Sequence, residues 1–301
     1  MTEWNETKCG FIAILGAPNV GKSTLVNRLV GAKVSIVSPK VQTTRTRVLG
    51  ICIENAAQLI FIDTPGVFAP KRRLDRAMVA SAWGGVADAD SVLLMIDATR
   101  GLDADCTIIL KKLQEQKKTC MLAINKIDLV DKQKLLALAE RLNETGLFSD
   151  IYMISAETGD GVSDLLARLV DNAGPGPWMY PEDQISDMPS RLLAAEITRE
   201  KLYLQLHQEL PYATTVETEG WEERDDGSVT ISQIIFVEKP GQKAIVLGKG
   251  GSKIKTIGES SRRELTDLFG RPVHVKLFVK VREKWGDDPE RFRDWGLDFN
   301  A

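Results

Sequence analysis

Gly16-Ala17-Pro18-Asn19-Val20-Gly21-Lys22-Ser23 has the spacing G-x-x-x-x-G-K-[ST], in which backbone N–H groups converge on a polyphosphate. That chemistry needs a turn exposing successive amides, a helix N-terminus behind it, a long cation and a hydroxyl. Lys22 would reach the outer phosphates, and Ser23 would take one position on a magnesium ion. The apolar run at residues 11–15 reads as the strand leading in. Leu25, Val26, Leu29 and Val30 continue at helical spacing behind the loop. Strand and helix together must hold the loop.

Further polar motifs follow apolar runs in the same way. After residues 59–62 comes Asp63-Thr64-Pro65-Gly66. An aspartate there can hold magnesium, usually through water, while the glycine N–H faces a γ-phosphate, with Val67 next in line. After residues 120–124 comes Asn125-Lys126-Ile127-Asp128. The Asp128 carboxylate can accept from both N1–H and the 2-amino group of guanine, a donor pair that adenine lacks. Asn125 would support the base's far edge, and the Lys126 stem would lie over the ring. After residues 151–154 comes Ser155-Ala156-Glu157, where the Ala156 N–H would meet the guanine O6. Ligands of open α/β sheets collect at the carboxyl ends of strands, so these motifs are expected to converge.

In this order and spacing, residues 10–172 resemble the G domain of translation-factor-type GTPases. The resemblance implies that one threonine of the polar segment at 38–47 closes on magnesium when a γ-phosphate is present. Thr44 is favoured and Thr43 remains the alternative. Residues 67–85 would form a second nucleotide-sensitive segment. Ras-type GTPases carry a water-orienting glutamine where this chain has Val67, so slow intrinsic hydrolysis is expected. Lys22, Asn19 and Thr44 are the expected catalytic set. By resemblance to cation-dependent relatives, potassium held near Asn19 would supply the charge that an arginine finger supplies elsewhere.

The whole chain sets the frame. Its 301 residues suffice for about two domains, and 43% hydrophobic with 27% charged residues is a soluble globular composition. No apolar stretch reaches the length of a membrane span, and the N-terminus lacks the order of a signal peptide. Four scattered cysteines with no C-x-x-C pair, and only His207 and His274, argue against zinc or a disulfide framework and for free thiols in a reducing cytosol. Alternation of apolar runs with helical patterns predicts a mostly parallel sheet covered on both faces by helices, with one antiparallel hairpin around Asn55 and Ala56. The expected organisation is a G domain at 1–175, a Gly/Pro-marked linker at 176–189 and a second, α+β domain at 190–301.

The net charge of −3 hides an uneven distribution. Between Lys239 and Lys284 there are twelve Lys/Arg and four Asp/Glu, flanked by acidic stretches, which points to a confined polyanion site. Within it lies Gly248-Lys249-Gly250-Gly251, followed by Ser252, Lys253, Ile254 and Lys255. A G-x-x-G loop between helices lets backbone approach a sugar-phosphate chain, as KH modules do with single-stranded RNA. Gly248, Lys249, Gly250, Gly251, Lys253 and Lys255 are the expected RNA contacts, with Ile254 and Ile257 reading as core.

The order helix, strand, strand, helix, helix, strand looks like the type II KH arrangement. A G domain followed by such a module resembles the Era family of bacterial ribosome-biogenesis GTPases across nearly the full chain. The resemblance implies a monomeric GTP/GDP switch that binds the 3′ end of 16S rRNA and acts in 30S subunit assembly. It also implies a cytoplasmic protein with peripheral association to the inner membrane. The rival readings are an RNA-binding assembly factor in which GTP is a structural ligand with negligible turnover, and an ATP-dependent RNA remodelling enzyme, against which Asp128 argues.

Overall fold

The computed structural model describes residues 7–40, 43–206 and 210–301. Gln42, His207 and the first six residues, on which the leader reading partly rested, lie outside the described set. Contacts divide the chain into two compact units: Met1–Ser35, Thr44–Asp187 and Phe292–Ala301 form the first, Ile36–Thr43 and Met188–Arg291 the second.

In the first unit, strands and helices alternate as β1 (Lys8–Gly16), α1 (Lys22–Val30), β2 (Val48–Glu54), β3 (Ala57–Asp63), α2 (Arg73–Asp88) and β4 (Ser91–Asp97). They continue as α3 (Ala104–Glu115), β5 (Cys120–Asn125), α4 (Lys132–Asn143), β6 (Phe148–Met153), α5 (Val162–Asn172) and the two-residue β7 (Gly174–Pro175). The sheet order is β2-β3-β1-β4-β5-β6, with β7 beside the start of β1. β2 runs antiparallel to β3, closing the expected hairpin, and the β3-β1-β4-β5-β6 pairs are parallel. Every residue of β3 and β5 is buried. Strands covered on both faces read as continuous apolar runs, which is why the motifs at their ends were visible. The parallel register sets Ile14 beside Asp63, Gly16 beside Met95 and Asp97 beside Asn125, so the motifs share one edge of the sheet.

The segment expected as a linker does not run free up to Asp187. Gln58 accepts from the Met179 and Tyr180 amides and donates to the Tyr180 carbonyl. The Ile51 amide donates to the Ile185 carbonyl at 2.9 Å, and Ser186 Oγ donates to the Leu49 carbonyl at 2.7 Å. β2 is the sheet edge, and these bonds satisfy backbone groups that an edge strand leaves open. Composition marked the break in regular structure; it carried no trace of this edge pairing.

The second unit contains α6 (Ser190–Gln205), β8 (Thr214–Glu223), β9 (Val229–Val237), α7 (Pro240–Leu247), α8 (Ser252–Phe269) and β10 (Val273–Val281). β8 and β9 are antiparallel, β9 and β10 parallel, in the order β10-β9-β8. This is the type II KH element order. Leu202, Leu206, Ile235, Val246 and Ile257 form one core cluster; Ile36, Ala194, Ile197, Ile231 and Leu265 form another. A last helix, α9 (Pro289–Asp294), follows, and from Phe292 within it the final ten residues belong to the first unit. Phe292 and Leu297 bury against Ala77 and Met78 of α2, and the Arg73 guanidinium lies 4.2 Å from the Phe299 ring. No described helix is long and apolar enough to cross a membrane.

Candidate functional site

The phosphate loop runs from the end of β1 into the first turn of α1. Asn19 and Gly21 adopt positive φ, 64° and 98°. Gly66 comes so close to the loop that a Cβ there would lie 2.8 Å from Pro18 Cα and N; only glycine permits this approach. The Val67 amide donates to the Gly16 carbonyl at 3.0 Å, and Thr64 Oγ1 donates to the Ile14 carbonyl at 2.6 Å. Lys22 is buried, with Nζ donating to the Gly16 and Ala17 carbonyls at 3.2 and 2.9 Å. Burial pushes its pKa down to about 8, against the opposing pull of Asp63. A cation held at a cost, within reach of the loop amides, is poised for a polyanion.

Ser23, Thr44 and Asp63 meet in one cluster. Ser23 Oγ donates to Asp63 Oδ2 at 2.6 Å and lies 2.9 Å from Thr44 Oγ1. Asp63 is fully buried and its pKa is raised by burial, which the Ser23 and Ser35 hydroxyls and Lys22 oppose. Its Oδ1 is buried with no hydrogen-bond partner. Two hydroxyls and a carboxylate with an orphan oxygen fit a hard divalent cation that keeps waters and phosphate oxygens as its other ligands. Among the described residues there is no group of three or more His, Cys, Asp or Glu able to hold a metal. Thr43 does not join the cluster: its hydroxyl is engaged with Ser38 Oγ and the Lys40 carbonyl.

On the base side, Asn125 Nδ2 donates to the Val20 carbonyl and Oδ1 accepts from the Ala156 amide, both at 2.8 Å. Asn125 therefore ties the phosphate loop to the Ser155-Ala156 turn. The Ala156 amide, expected to face guanine O6, is committed to Asn125 in this geometry. Lys126 Nζ donates to the Asn19 carbonyl at 2.8 Å and to Asp97 Oδ2 at 2.6 Å. Burial opposes ionisation of Asp97, but bonds from Lys126 and Thr99 hold its carboxyl below the usual range. Asp128 is exposed, beside Ile127 in a short 3-10 turn, with its carboxylate open to a ligand.

In the second unit, Gly248, Gly250 and Gly251 all take positive φ between α7 and α8. A Cβ on Gly248 would lie 2.7 Å from Lys253 Cβ. Lys249 and Lys255 are exposed and Lys253 is half-buried. Beside the loop lies a groove of about 300 Å³ lined by Ile254, Lys255, Gly258, Glu259, Arg262, Val275 and Leu277. Ile257 is fully buried, and Ile254, half-buried at the groove wall, packs against the same core cluster.

Residues 11–126 match the family described as 50S ribosome-binding GTPase, and residues 209–286 match the KH domain. GTPase Era of Bradyrhizobium diazoefficiens is 60% identical over 97% of this chain and 95% of its own length. The chain belongs to the GTPase Era family. Era of Brucella suis biovar 1 is 57% identical over 99% of this chain and 96% of its own. Two solved structures superpose over 96% of this chain and 99% of theirs at 40% identity. One is Era in complex with MgGDPNP and nucleotides 1506–1542 of 16S ribosomal RNA (TM-score 0.92). The other is an Aquifex aeolicus Era variant bound to GDP·AlF4− (TM-score 0.91).

Several contributors to the site carried no motif. Ser35 donates to Asp63 at 2.7 Å, from a turn whose amides at Val34 and Ser35 are held by Asn27 Oδ1. Arg28 donates to the Ala156 and Glu157 carbonyls, and Arg100 donates to the Pro18 carbonyl at 3.0 Å. Each acts across more than six residues of sequence, Ser35 on a side-chain oxygen and the others on main-chain atoms, so side-chain spacing left no signal for them.

Proposed function

We propose that this chain is a GTP-hydrolysing switch whose KH domain binds the 3′ region of 16S rRNA during assembly of the small ribosomal subunit. The observation that carries it is the meeting of Ser23, Thr44 and Asp63 above the phosphate loop: a site built to sense whether a γ-phosphate is present. Lys22 and the loop amides balance phosphate charge, Gly66 N–H faces the γ-phosphate, and Asp128 with Asn125 selects guanine. Magnesium, held by Ser23, Thr44 and, through water, Asp63, would neutralise β- and γ-phosphate oxygens. Gly248 to Gly251 bring backbone to the RNA chain, with Lys249, Lys253 and Lys255 supplying charge.

Val67 is 1% exposed and has no group able to orient water, so intrinsic turnover is slow. Potassium beside Asn19 is the proposed source of missing charge in hydrolysis. Replacing potassium by sodium at constant ionic strength should slow single-turnover hydrolysis; equal rates would remove the cation from the scheme. The chain works in the cytoplasm as a monomer. Any association with the inner membrane would be by surface contact.

The second reading, GTP as a structural ligand, draws on the same buried Val67. Hydrolysis measured with and without an RNA of the 16S 3′ segment separates the two. The switch predicts acceleration by about tenfold or more, the size of an ordinary coupling between sites. Negligible turnover in both arms would favour the structural ligand.

A further inference from the structure

Helix α6 carries a buried polar stripe that neither the KH core nor the RNA groove uses. Glu196, Arg199, Glu200 and Tyr203 recur at helical spacing along it. Arg199 is 1% exposed, is paired with Glu196, and lies 5.1 Å from the Tyr203 ring. Its Nη2 donates to the Thr43 carbonyl at 2.6 Å, while Nη1 is buried without a hydrogen-bond partner. Glu200, 3% exposed, accepts from the Val37 amide at 2.8 Å. Buried charges of this kind are weak contributors to stability, so a helix that only closed a core would do better with apolar residues.

Both main-chain partners lie in the segment Ile36–Thr43, which belongs to the same compact unit as α6 and buries Ile36 against Ala194 and Ile197. Each end of that segment is one residue from the metal cluster. Ser35 bonds Asp63 on one side, and Thr44 meets Ser23 on the other. The Thr43 carbonyl and the Thr44 amide share a single planar peptide unit. Fixing that carbonyl from Arg199 therefore fixes the direction in which Thr44 leaves the segment.

We propose that Arg199 and Glu200 are positioning residues for Thr44. They hold Val37 and the Thr43 carbonyl so that the Thr44 hydroxyl presents to magnesium, and they make triphosphate retention depend on helix α6. This rests on the reading that Thr44 meets the metal only when a γ-phosphate is bound.

The test compares dissociation of fluorescent GDP and of a fluorescent non-hydrolysable GTP analogue from the full chain across a magnesium titration. Arg199→Met and Glu200→Ala should each release the analogue about tenfold faster and need correspondingly more magnesium, since each loses a charge-assisted bond. GDP release should change by less than about twofold, because in that state no γ-phosphate draws Thr44 in. Glu200→Gln keeps an acceptor for the Val37 amide and should behave as wild type, which separates positioning from mere helix stability. Equal acceleration of both nucleotides, or a Glu200→Gln variant as impaired as Glu200→Ala, would overturn the proposal. So would unchanged release from Arg199→Met and Glu200→Ala when Thr44→Ala releases the analogue faster. If Thr44→Ala itself leaves analogue release unchanged, the metal role of Thr44 fails first and the proposal falls with it.

Discussion

Lys22→Met should weaken GTP binding by about three orders of magnitude without lowering the melting temperature of the nucleotide-free protein. In the absence of phosphate the ammonium is buried against two carbonyls, and its pKa lies at about 8 rather than 10.5. That depression corresponds to roughly 3 kcal/mol held against the folded state at neutral pH. Phosphate oxygens would satisfy the charge with two charge-assisted bonds, together worth about 4 kcal/mol. Methionine keeps the bulk and removes both terms. Isothermal titration with GTP and a thermal melt of the free protein read the two effects separately. A variant that melts well below wild type would show that the ammonium supports the fold instead.

The same burial sets a pH dependence. The folded pKa of Lys22 lies below its unfolded value. Between about pH 8 and 10.5 the unfolded chain therefore holds a proton that the folded chain lacks, and this residue's contribution to stability rises with pH. Binding behaves oppositely, because phosphate needs the protonated amine. GTP affinity should be level below pH 8 and fall above it, by roughly fourfold at pH 8.5. In Lys22→Met that fall should vanish.

Asp128→Asn should exchange the base that is accepted. The wild-type carboxylate takes N1–H and the 2-amino group of guanine. An asparagine amide keeps one acceptor and turns a donor towards the other position, where xanthine carries an oxygen. Loss of the charge and one bond should cost GTP roughly 3 kcal/mol, about 150-fold, while xanthosine triphosphate gains by a comparable factor. Competition between the two nucleotides for a fluorescent reporter measures both changes. Loss of GTP binding with no gain for the xanthine nucleotide would mean that Asp128 supports its turn and does not read the base. The effect is smaller than that of Lys22 because Asp128 is exposed and water replaces part of what is lost.

The nucleotide motifs were legible because each is local. A phosphate loop, Asp63 to Gly66 and Asn125 to Asp128 each occupy a few consecutive residues after an apolar strand. The parallel sheet then brings strand ends together whatever the intervening lengths. The G-x-x-G loop was legible for the same reason, helped by the charge excess around it. Thr43 against Thr44 was not decided locally. Neighbouring threonines in a polar segment are equivalent until a fold turns one hydroxyl to Ser23 and the other to Ser38 and Lys40.

The longer-range parts left no mark in the linear pattern. Nothing about Ser35 announces that it bonds Asp63, and nothing about Phe292 announces that it closes on Met78. Nothing in the pattern around Arg199 announces that it is nearly inaccessible and donates to the carbonyl beside Thr44. Sequence alone thus put the chemistry on offer in view, as short local motifs expected to meet phosphate, magnesium, guanine and RNA backbone. Only the tertiary structure decided which hydroxyls gather at Asp63 and which carbonyl Arg199 reaches. Those choices depend on distances between residues far apart in the chain, and such distances exist only once the sheets and cores have formed.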